Sequence, residues 1–241
     1  MRLDQAVVAR GLLRSRARAR AAIEESCVAV NGSVARKPAM PIAPGDTIEL
    51  VGETLEWVSR AALKLVAGLE KFGVDPDGRV ALDLGASTGG FSQVLLARGA
   101  ARVVAIDVGK GQLDQMLVGE NRLDYREGIN ARDIAAMDLP PPDLVVCDLS
   151  FISLTKALGP ALGLAVDGAD LIALIKPQFE LERGDIGKGG VVRDPALHAR
   201  AVDRVERFLE ECGWHVMARC DSPIAGSDGN REILVHGRRN D

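Results

Sequence analysis

A glycine-rich turn between two hydrophobic runs is the feature that most constrains the fold of this chain. The turn at 85–90 follows the run 80–84, and a second run, 103–106, ends on the acid Asp107. Glycines at a strand-to-helix turn let backbone N–H groups approach a ligand. An acid that follows the first glycine by 22 residues has the spacing expected for ribose recognition. The pattern predicts a nucleotide-binding βαβ unit.

The residues of the turn favour one nucleotide over others. Ser87 occupies the place of the second glycine in a dinucleotide fingerprint, where the backbone would meet a pyrophosphate. Read from Asp83, the turn is Asp-x-Gly-x-x-x-Gly-Gly, which resembles the first motif of class I S-adenosylmethionine-dependent methyltransferases. A dinucleotide site and a turn whose glycines serve packing alone remain alternatives.

The resemblance implies a set of cofactor-binding residues. The glycines and Ser87 would hold the methionine end of S-adenosyl-L-methionine, and Asp107 would accept hydrogen bonds from the ribose. In the loop after the third strand, Asn130 and Asp133 could bond the adenine edge or could cap a turn, and Phe91 could equally belong to the core. The candidates are Asp83, Gly85, Ser87, Thr88, Gly89, Gly90, Phe91, Asp107, Asn130 and Asp133.

Length and composition set broad limits. The 241 residues allow one α/β domain of about 180 residues and a small module. The four cysteines form no Cys-x-x-Cys pair and the few histidines do not cluster with them, so neither zinc nor a disulfide framework is expected. No apolar stretch is long enough to span a membrane, and the first residues do not resemble a secretory signal. We expect a cytoplasmic protein without a bound metal.

The first 37 residues are basic although the whole chain carries a net charge of −4. Arg16, Arg18 and Arg20 lie on a predicted helix over 15–25 that Arg14 directly precedes, so that like charges stand four residues apart. Such charges repel one another, so an anionic partner explains them better than helix stability does.

Two strand signals follow this helix. The run 27–32 alternates and ends in an Asn-Gly turn, and Pro-Gly-Asp at 44–46 precedes a strand at 47–50. The order resembles the S-four-type RNA-binding fold, although a solvated basic helix beside two ordinary hairpins would show the same signals. We expect this module over 1–52, a linker over 53–58 and the larger domain over 59–241.

Four polar residues lie where burial is expected. Asp148 and Lys176 each end a strand that otherwise reads as buried, Lys64 lies on the helix before the first strand, and Glu232 starts a late strand. The carboxyl ends of strands are where doubly wound sheets build their sites. The four residues are therefore candidate catalytic groups, although a single acid or lysine at a strand end is often a solvated terminus.

The pattern of Lys64, Asp148, Lys176 and Glu232 is similar to the tetrad of the FtsJ-like ribose 2′-O-methyltransferases. The surrounding strings resemble the TlyA family in particular, whose members were once labelled haemolysins. These strings are Ser-Arg-Ala-Ala-Leu-Lys-Leu (59–65), Asp-Leu-Gly-Ala-Ser-Thr-Gly-Gly-Phe (83–91), Cys-Asp-Leu-Ser-Phe-Ile-Ser (147–153), Lys-Pro-Gln-Phe-Glu (176–180) and Gly-Lys-Gly-Gly-Val-Val (187–192). Ala61 and Ala62 depart from the pattern, because relatives often carry glycines there.

The resemblance implies methylation of ribose 2′-hydroxyls in ribosomal RNA or ribosomal subunits. Lys176 would be the general base, because burial and a second cation lower the pKa of a lysine and make it able to accept a proton. Lys64 would assist it, while Asp148 and Glu232 would orient the lysines. Arg60 and Lys188 join the four arginines of the basic helix as candidate RNA-binding residues, and the long loop 177–194 is a candidate lid.

The order of elements predicts an α/β fold with a Rossmann-like, mostly parallel seven-stranded sheet of the class I methyltransferase type, preceded by a small α+β RNA-binding domain. Strands are expected at 80–84, 102–107, 123–127, 143–148, 170–176, 214–221 and 231–237. Helices are expected at 59–73, 90–98, 110–119, 154–165 and 195–212. The last two strands should form a hairpin, which makes one strand antiparallel.

Two other functions compete with methyl transfer. A protein that binds RNA or the ribosome and holds the cofactor without turnover would share the module and the turn, but the intact tetrad argues against it. A membrane-lytic haemolysin would need a spanning segment or a strongly hydrophobic basic helix, and the chain offers neither.

Overall fold

The computed structural model describes residues 1–13, 16–24, 26–51, 57–182, 184–187, 189–226 and 228–240. The chain forms two compact units, Met1–Arg60 and Ala61–Asp241. Most of the predicted linker lies outside the described residues, so the boundaries proposed at 52 and 59 stay predictions. No helix of the described residues is long and apolar enough to cross a membrane.

The N-terminal unit packs two helices against a three-stranded antiparallel sheet. Its elements are α1 (Leu3–Ala9), α2 (Arg16–Glu24), β1 (Val28–Val30), β2 (Ser33–Val34) and β3 (Ile48–Leu50), with the strand order β2-β1-β3. Asn31 and Gly32 connect β1 to β2 with φ angles of 51° and 76°. Two consecutive positive φ angles are the conformation that an Asn-Gly hairpin turn requires, so the predicted turn is confirmed. Helix α1 was not predicted.

The C-terminal unit contains a seven-stranded sheet. The strands are β4 (Val80–Leu84), β5 (Arg102–Asp107), β6 (Leu123–Glu127), β7 (Leu144–Cys147), β8 (Asp170–Ile175), β9 (Trp214–Asp221) and β10 (Ile233–Arg239), in the order β6-β5-β4-β7-β8-β10-β9. Strand β10 runs antiparallel to both of its neighbours, and the other pairs that the structure describes are parallel. The predicted fold class and the closing hairpin are confirmed, with strand ends shifted by at most two residues.

Helices cover both faces of this sheet. They are α3 (Ala61–Phe72), α4 (Gly90–Ala97), α5 (Leu154–Ala157), α6 (Gly159–Leu164), α7 (Pro177–Glu180) and α8 (Pro195–Glu211), with a 3₁₀ helix at Ala131–Ala136. Every residue of β7 and β8 is buried, as expected for parallel strands between two helical layers. On one face α3 packs closely, since a Cβ on Gly68 would lie 3.2 Å from Ile172 Cγ2.

Two predicted helices are wrong. Residues 110–119 form bends and turns, because Gly111 and Gly119 have φ angles of 65° and 87°, a conformation that interrupts a right-handed helix. The N–H groups of Gly111 and Gln112 also donate to the Glu127 carboxylate and not to a helix ladder. The helix predicted over 154–165 divides at Leu158, where Pro160 lies in the first turn of α6. The predicted loop 177–194 contains the short helix α7.

Candidate active site

Four separate elements bring the predicted tetrad together. Asp148 follows β7, Lys176 follows β8, Glu232 precedes β10, and Lys64 lies on α3. Ile233 pairs with Ile175 across β10 and β8. Because these strands are antiparallel, this register places the residue before β10 beside the residue after β8. The topology therefore makes Glu232 a neighbour of Lys176, although 56 positions separate them in the sequence.

The side chains of the tetrad form a chain of ion pairs. Lys64 Nζ lies 2.6 Å from Glu232 Oε2 and 3.9 Å from Asp148 Oδ2. Lys176 Nζ lies 2.7 Å from Asp148 Oδ1. Asp148 thus lies between the two lysines, and Glu232 pairs with Lys64.

Burial makes this arrangement electrostatically demanding. Lys64 and Lys176 are each 7% exposed and Glu232 is 3% exposed. Burial raises the pKa of the Glu232 carboxyl above its ordinary value, while the charge and hydrogen bond of Lys64 act in the opposite direction. Removing one member would leave a buried charge without a partner, a change that is strongly destabilising in proteins. The four groups consequently depend on one another.

Ser150 is a member of this site that sequence reasoning missed. Lys176 Nζ donates a hydrogen bond of 2.8 Å to Ser150 Oγ. A serine three residues after a strand is common in turns, so its position in the sequence carries no distinct signal. The next residue, Phe151, has a φ angle of 66°, is 90% exposed, and its ring centroid lies 5.4 Å from that of Phe179. An exposed aromatic ring therefore lies beside the tetrad.

A cavity of about 440 Å³ opens beside Asp148 at the carboxyl ends of the strands. Several predicted cofactor residues line it, as do apolar side chains that were not predicted. The lining includes Gly85, Ser87, Asp107, Asn130, Asp148 and Ser150, together with Ile106, Ile129, Ala131 and Leu149. A lining that combines polar groups with apolar walls suits a nucleoside.

Asp107 is held in place by the backbone of two loops. Its Oδ2 accepts the Ser87 N–H at 2.8 Å, and its Oδ1 accepts the Gly109 N–H at 2.6 Å. An ionised carboxylate has about four acceptor positions. Asp107 can therefore accept further hydrogen bonds from a ribose diol while it keeps both backbone contacts.

Two glycines of the turn are required by their surroundings. A Cβ on Gly85 would lie 2.8 Å from the Asp148 carbonyl oxygen, and one on Gly89 would lie 2.3 Å from Leu117 Cδ1. Both residues also have positive φ angles, which disfavour other amino acids. Gly85 can thus approach the Asp148 carbonyl as closely as it does only because it lacks a side chain.

The remaining predicted cofactor residues lie around the cavity and not in its wall. Asp83 and Phe91 are buried, with 0% and 3% exposure, and Thr88, Gly89 and Gly90 belong to the turn without lining the cavity. Ser92 Oγ donates to Asp83 Oδ2, whereas Asp83 Oδ1 has no hydrogen-bond partner in the described part of the chain. Asn130 Oδ1 accepts the Arg132 N–H and caps the 3₁₀ helix, and Asp133 is exposed outside the lining.

The candidate RNA-binding arginines occupy different surroundings. Arg16 pairs with the buried Asp4 at 3.0 Å, and Arg20 approaches Glu24 at 3.6 Å. Hydrogen bonds from Arg2 first, and then from Arg16, lower the pKa of Asp4 to about 2. Arg18 and Arg60 are half-buried, and Arg14 and Lys188 lie outside the described residues. Arg16 therefore has a structural role that its position in the sequence did not reveal.

The sheet order, the glycine turn and the cavity at the strand ends define a protein of the class I methyltransferase fold. Residues 57–239 match the family model described as FtsJ-like methyltransferase, and residues 1–48 match the S4 domain. The chain belongs to the TlyA family, which joins these two domains.

Relatives of known name support this assignment over nearly the whole chain. The 16S/23S rRNA (cytidine-2'-O)-methyltransferase TlyA of Mycobacterium tuberculosis is 46% identical and is matched over 97% of this chain and 88% of its own length. Hemolysin A of Brachyspira hyodysenteriae is 40% identical, over 98% of this chain and 99% of its own. A solved structure of a candidate hemolysin from Streptococcus thermophilus covers all of this chain and 89% of its own, with a TM-score of 0.79 and 36% identity.

Proposed function

We propose that this protein transfers a methyl group from S-adenosyl-L-methionine to ribose 2′-hydroxyls of ribosomal RNA, in the cytoplasm. The observation that carries the proposal is the buried cluster of two lysines and two carboxylates beside the cavity. Asp148 belongs to both, since it lines the cavity and pairs with Lys176. The relative from Mycobacterium tuberculosis is named for the same class of reaction.

The cavity fits the cofactor by its chemistry. Asp107 would accept hydrogen bonds from ribose hydroxyls, and the apolar residues Ile106, Ile129 and Leu149 would provide walls for a flat base. The turn that follows β4 would lie against the methionine part, and the carboxylate of Asp107 would favour a cationic ligand. When bound, S-adenosyl-L-methionine supplies a methyl group on a positively charged sulfur, which is an activated leaving group.

The tetrad would act on the ribose hydroxyl, which is a poor nucleophile at neutral pH. Lys176 in its neutral form would take the hydroxyl proton as general base. Asp148 and Ser150 would hold the lysine nitrogen, because Lys176 Nζ lies 2.7 Å from Asp148 Oδ1 and 2.8 Å from Ser150 Oγ. Lys64, fixed by Glu232 at 2.6 Å, would help to orient the attacking oxygen.

The N-terminal unit would supply affinity for RNA. Arginines on α2 would contact phosphates, which position an RNA without reading its sequence.

At the active site, the exposed ring of Phe151 offers a surface on which an unpaired base could stack. A base held there would keep its ribose near Lys176.

The experiment that tests the proposal is a single-turnover reaction with ribosomal RNA or ribosomal subunits and labelled S-adenosyl-L-methionine, followed by mapping of the labelled atom. We expect the label on a ribose 2′-oxygen. A label on a base nitrogen or carbon, or binding of both partners without transfer, would contradict the proposed reaction.

Asp107→Ala should weaken the binding of S-adenosyl-L-methionine by roughly 1–3 kcal/mol, the cost of leaving a hydrogen-bonding group without its partner. The variant would also lose the two hydrogen bonds that Asp107 accepts from the N–H groups of Ser87 and Gly109. Calorimetry on the purified variant measures the change, with the exposed Asp138→Ala as a matched control. Tight binding of NAD by the wild type, without binding of S-adenosyl-L-methionine, would refute the assignment of S-adenosyl-L-methionine as the cofactor.

Replacing Arg14, Arg18 and Arg20 by alanine should lower RNA affinity and make it less dependent on salt. Arg16 is kept, because it pairs with the buried Asp4. Each lost phosphate contact should reduce the slope of log K against log salt by about 0.7 to 0.9. Filter binding over a salt series measures this slope. The exposed Arg98 and Arg102, replaced by alanine, provide the control, and an equal slope in both variants would show that α2 does not face the RNA.

A further inference from the structure

Asn230 joins the segment just before Glu232 to a distant segment at Gly190–Val192. Its side chain is wholly buried, with 0% exposure. The Val192 N–H donates to Asn230 Oδ1 at 2.8 Å, and Asn230 Nδ2 donates to the Gly190 carbonyl at 2.9 Å. The oxygen and the nitrogen of the Asn230 side-chain amide thus both bond to a segment about 40 residues earlier in the chain. A buried amide costs free energy unless its groups are bonded in this way.

The backbone of Asn230 also organises the loop that leads to Glu232. The Gly226 N–H donates to the Asn230 carbonyl, and the Asn230 N–H donates to Asp228 Oδ1. The loop closes where the Ser222 N–H donates to the Glu232 carbonyl at 2.9 Å. Asn230 is therefore the point where this loop is tied to a second part of the fold.

The loop backbone passes very close to the Glu232 carboxylate at Gly226. A Cβ on Gly226 would lie only 2.6 Å from Glu232 Oε1. The other carboxylate oxygen, Oε2, holds Lys64 Nζ at 2.6 Å. A change in the loop backbone would therefore move the Glu232 carboxylate, and Lys64 would move with it.

We propose that Asn230 is a positioning residue for methyl transfer, which acts on the reaction through Glu232 and Lys64. The inference rests on the proposed function, because it assigns these two residues to the reacting site. Its side chain fixes the backbone two residues before Glu232 and so sets the direction in which that carboxylate points. A displacement of about 1 Å in a reacting group can cost about a hundredfold in rate, so loss of the tie should be visible in the chemical step.

Asn230→Ala should lower the single-turnover rate on ribosomal RNA about ten- to a hundredfold, while the KM for RNA and the Kd for S-adenosyl-L-methionine stay within about twofold of wild type. The control is Asp170→Asn at the start of β8. Asp170 is also buried and accepts hydrogen bonds from His236 Nε2 at 2.8 Å and Arg79 Nη1 at 2.7 Å, at the opposite edge of the sheet. It should lower thermal stability without changing the rate.

A double-mutant comparison separates positioning from general destabilisation. In a Glu232→Gln background, Asn230→Ala should change the rate by less than about threefold, because the residue it acts through is already altered. The inference would be overturned if the rate losses of the two single variants multiplied fully in the double variant. It would also be overturned if Asn230→Ala raised only the KM for RNA, or if its rate loss were no larger than that of Asp170→Asn. If the alanine variant does not fold, Asn230→Asp takes its place, since it keeps the acceptor for the Val192 N–H and loses the donor to Gly190.

The wild-type reaction distinguishes the two proposals. If the wild type places no methyl group on ribose in ribosomal RNA, the proposed function fails and this inference fails with it. If the wild type does so while Asn230→Ala behaves like Asp170→Asn, only the role of Asn230 is refuted.

Discussion

Lys176→Ala should abolish methyl transfer to the ribose hydroxyl while the protein stays folded and still binds S-adenosyl-L-methionine. A lost general base is typically worth about 100- to 10,000-fold in rate, and more if the group also positions the nucleophile. The cofactor cavity should keep its shape, since Lys176 is not part of its lining and Asp148 keeps Lys64 as a charged partner. Single-turnover transfer to ribosomal RNA and calorimetry with the cofactor measure the two effects separately.

The controls for Lys176 must separate loss of the amine from loss of packed side-chain volume. Lys176→Met keeps the length and apolar stem of the side chain and removes its charge, so it should be as inactive as the alanine variant. The exposed Lys156→Ala should retain wild-type activity. Lys64→Ala and Asp148→Ala should lose activity in a similar range, and double variants should not be additive if the cluster acts as a unit. A near-normal rate for Lys176→Ala would refute its role.

Asp83→Asn should stabilise the protein at neutral pH and change how stability depends on pH. Burial raises the pKa of the Asp83 carboxyl from its ordinary value of 3.8 to about 7. Between these two pH values the folded state holds a proton that the unfolded state has released, so the free energy of unfolding falls as the pH rises. At about 1.4 kcal/mol per pKa unit, the full contribution is roughly 4 kcal/mol. It is present below about pH 4 and lost by about pH 7.

Asparagine removes this dependence on pH, because it stays neutral at every pH and its carbonyl oxygen can still accept from Ser92 Oγ. Urea unfolding of both proteins between pH 4 and pH 8 measures it. The stability of the variant relative to wild type should rise with pH and become constant above about pH 7. The exposed Asp167→Asn should show no such trend. A pH-independent difference between Asp83→Asn and wild type would show that Asp83 is ionised throughout.

Much of the fold could be predicted from local patterns. The strand ends and the glycine turn around β4 were correct within two residues, because a buried parallel strand and a left-handed glycine each leave a mark in a short segment. The Asn-Gly hairpin was correct for the same reason. Helix prediction failed over 110–119, because the bonds of the Gly111 and Gln112 N–H groups to Glu127 depend on a strand that lies elsewhere in the sequence.

The sequence by itself determined the class of chemistry, since a lysine and two acids at strand ends, a second lysine on a helix and a glycine turn are local features. Only the tertiary structure decided how these groups meet. The antiparallel register of β10 against β8 places Glu232 beside Lys176, and Ser150 and Asn230 find their partners across 26 and about 40 residues. It also showed that Arg16 pairs with Asp4. Residue types and short spacings are properties of one segment, whereas distances and burial arise when segments far apart in the chain pack together.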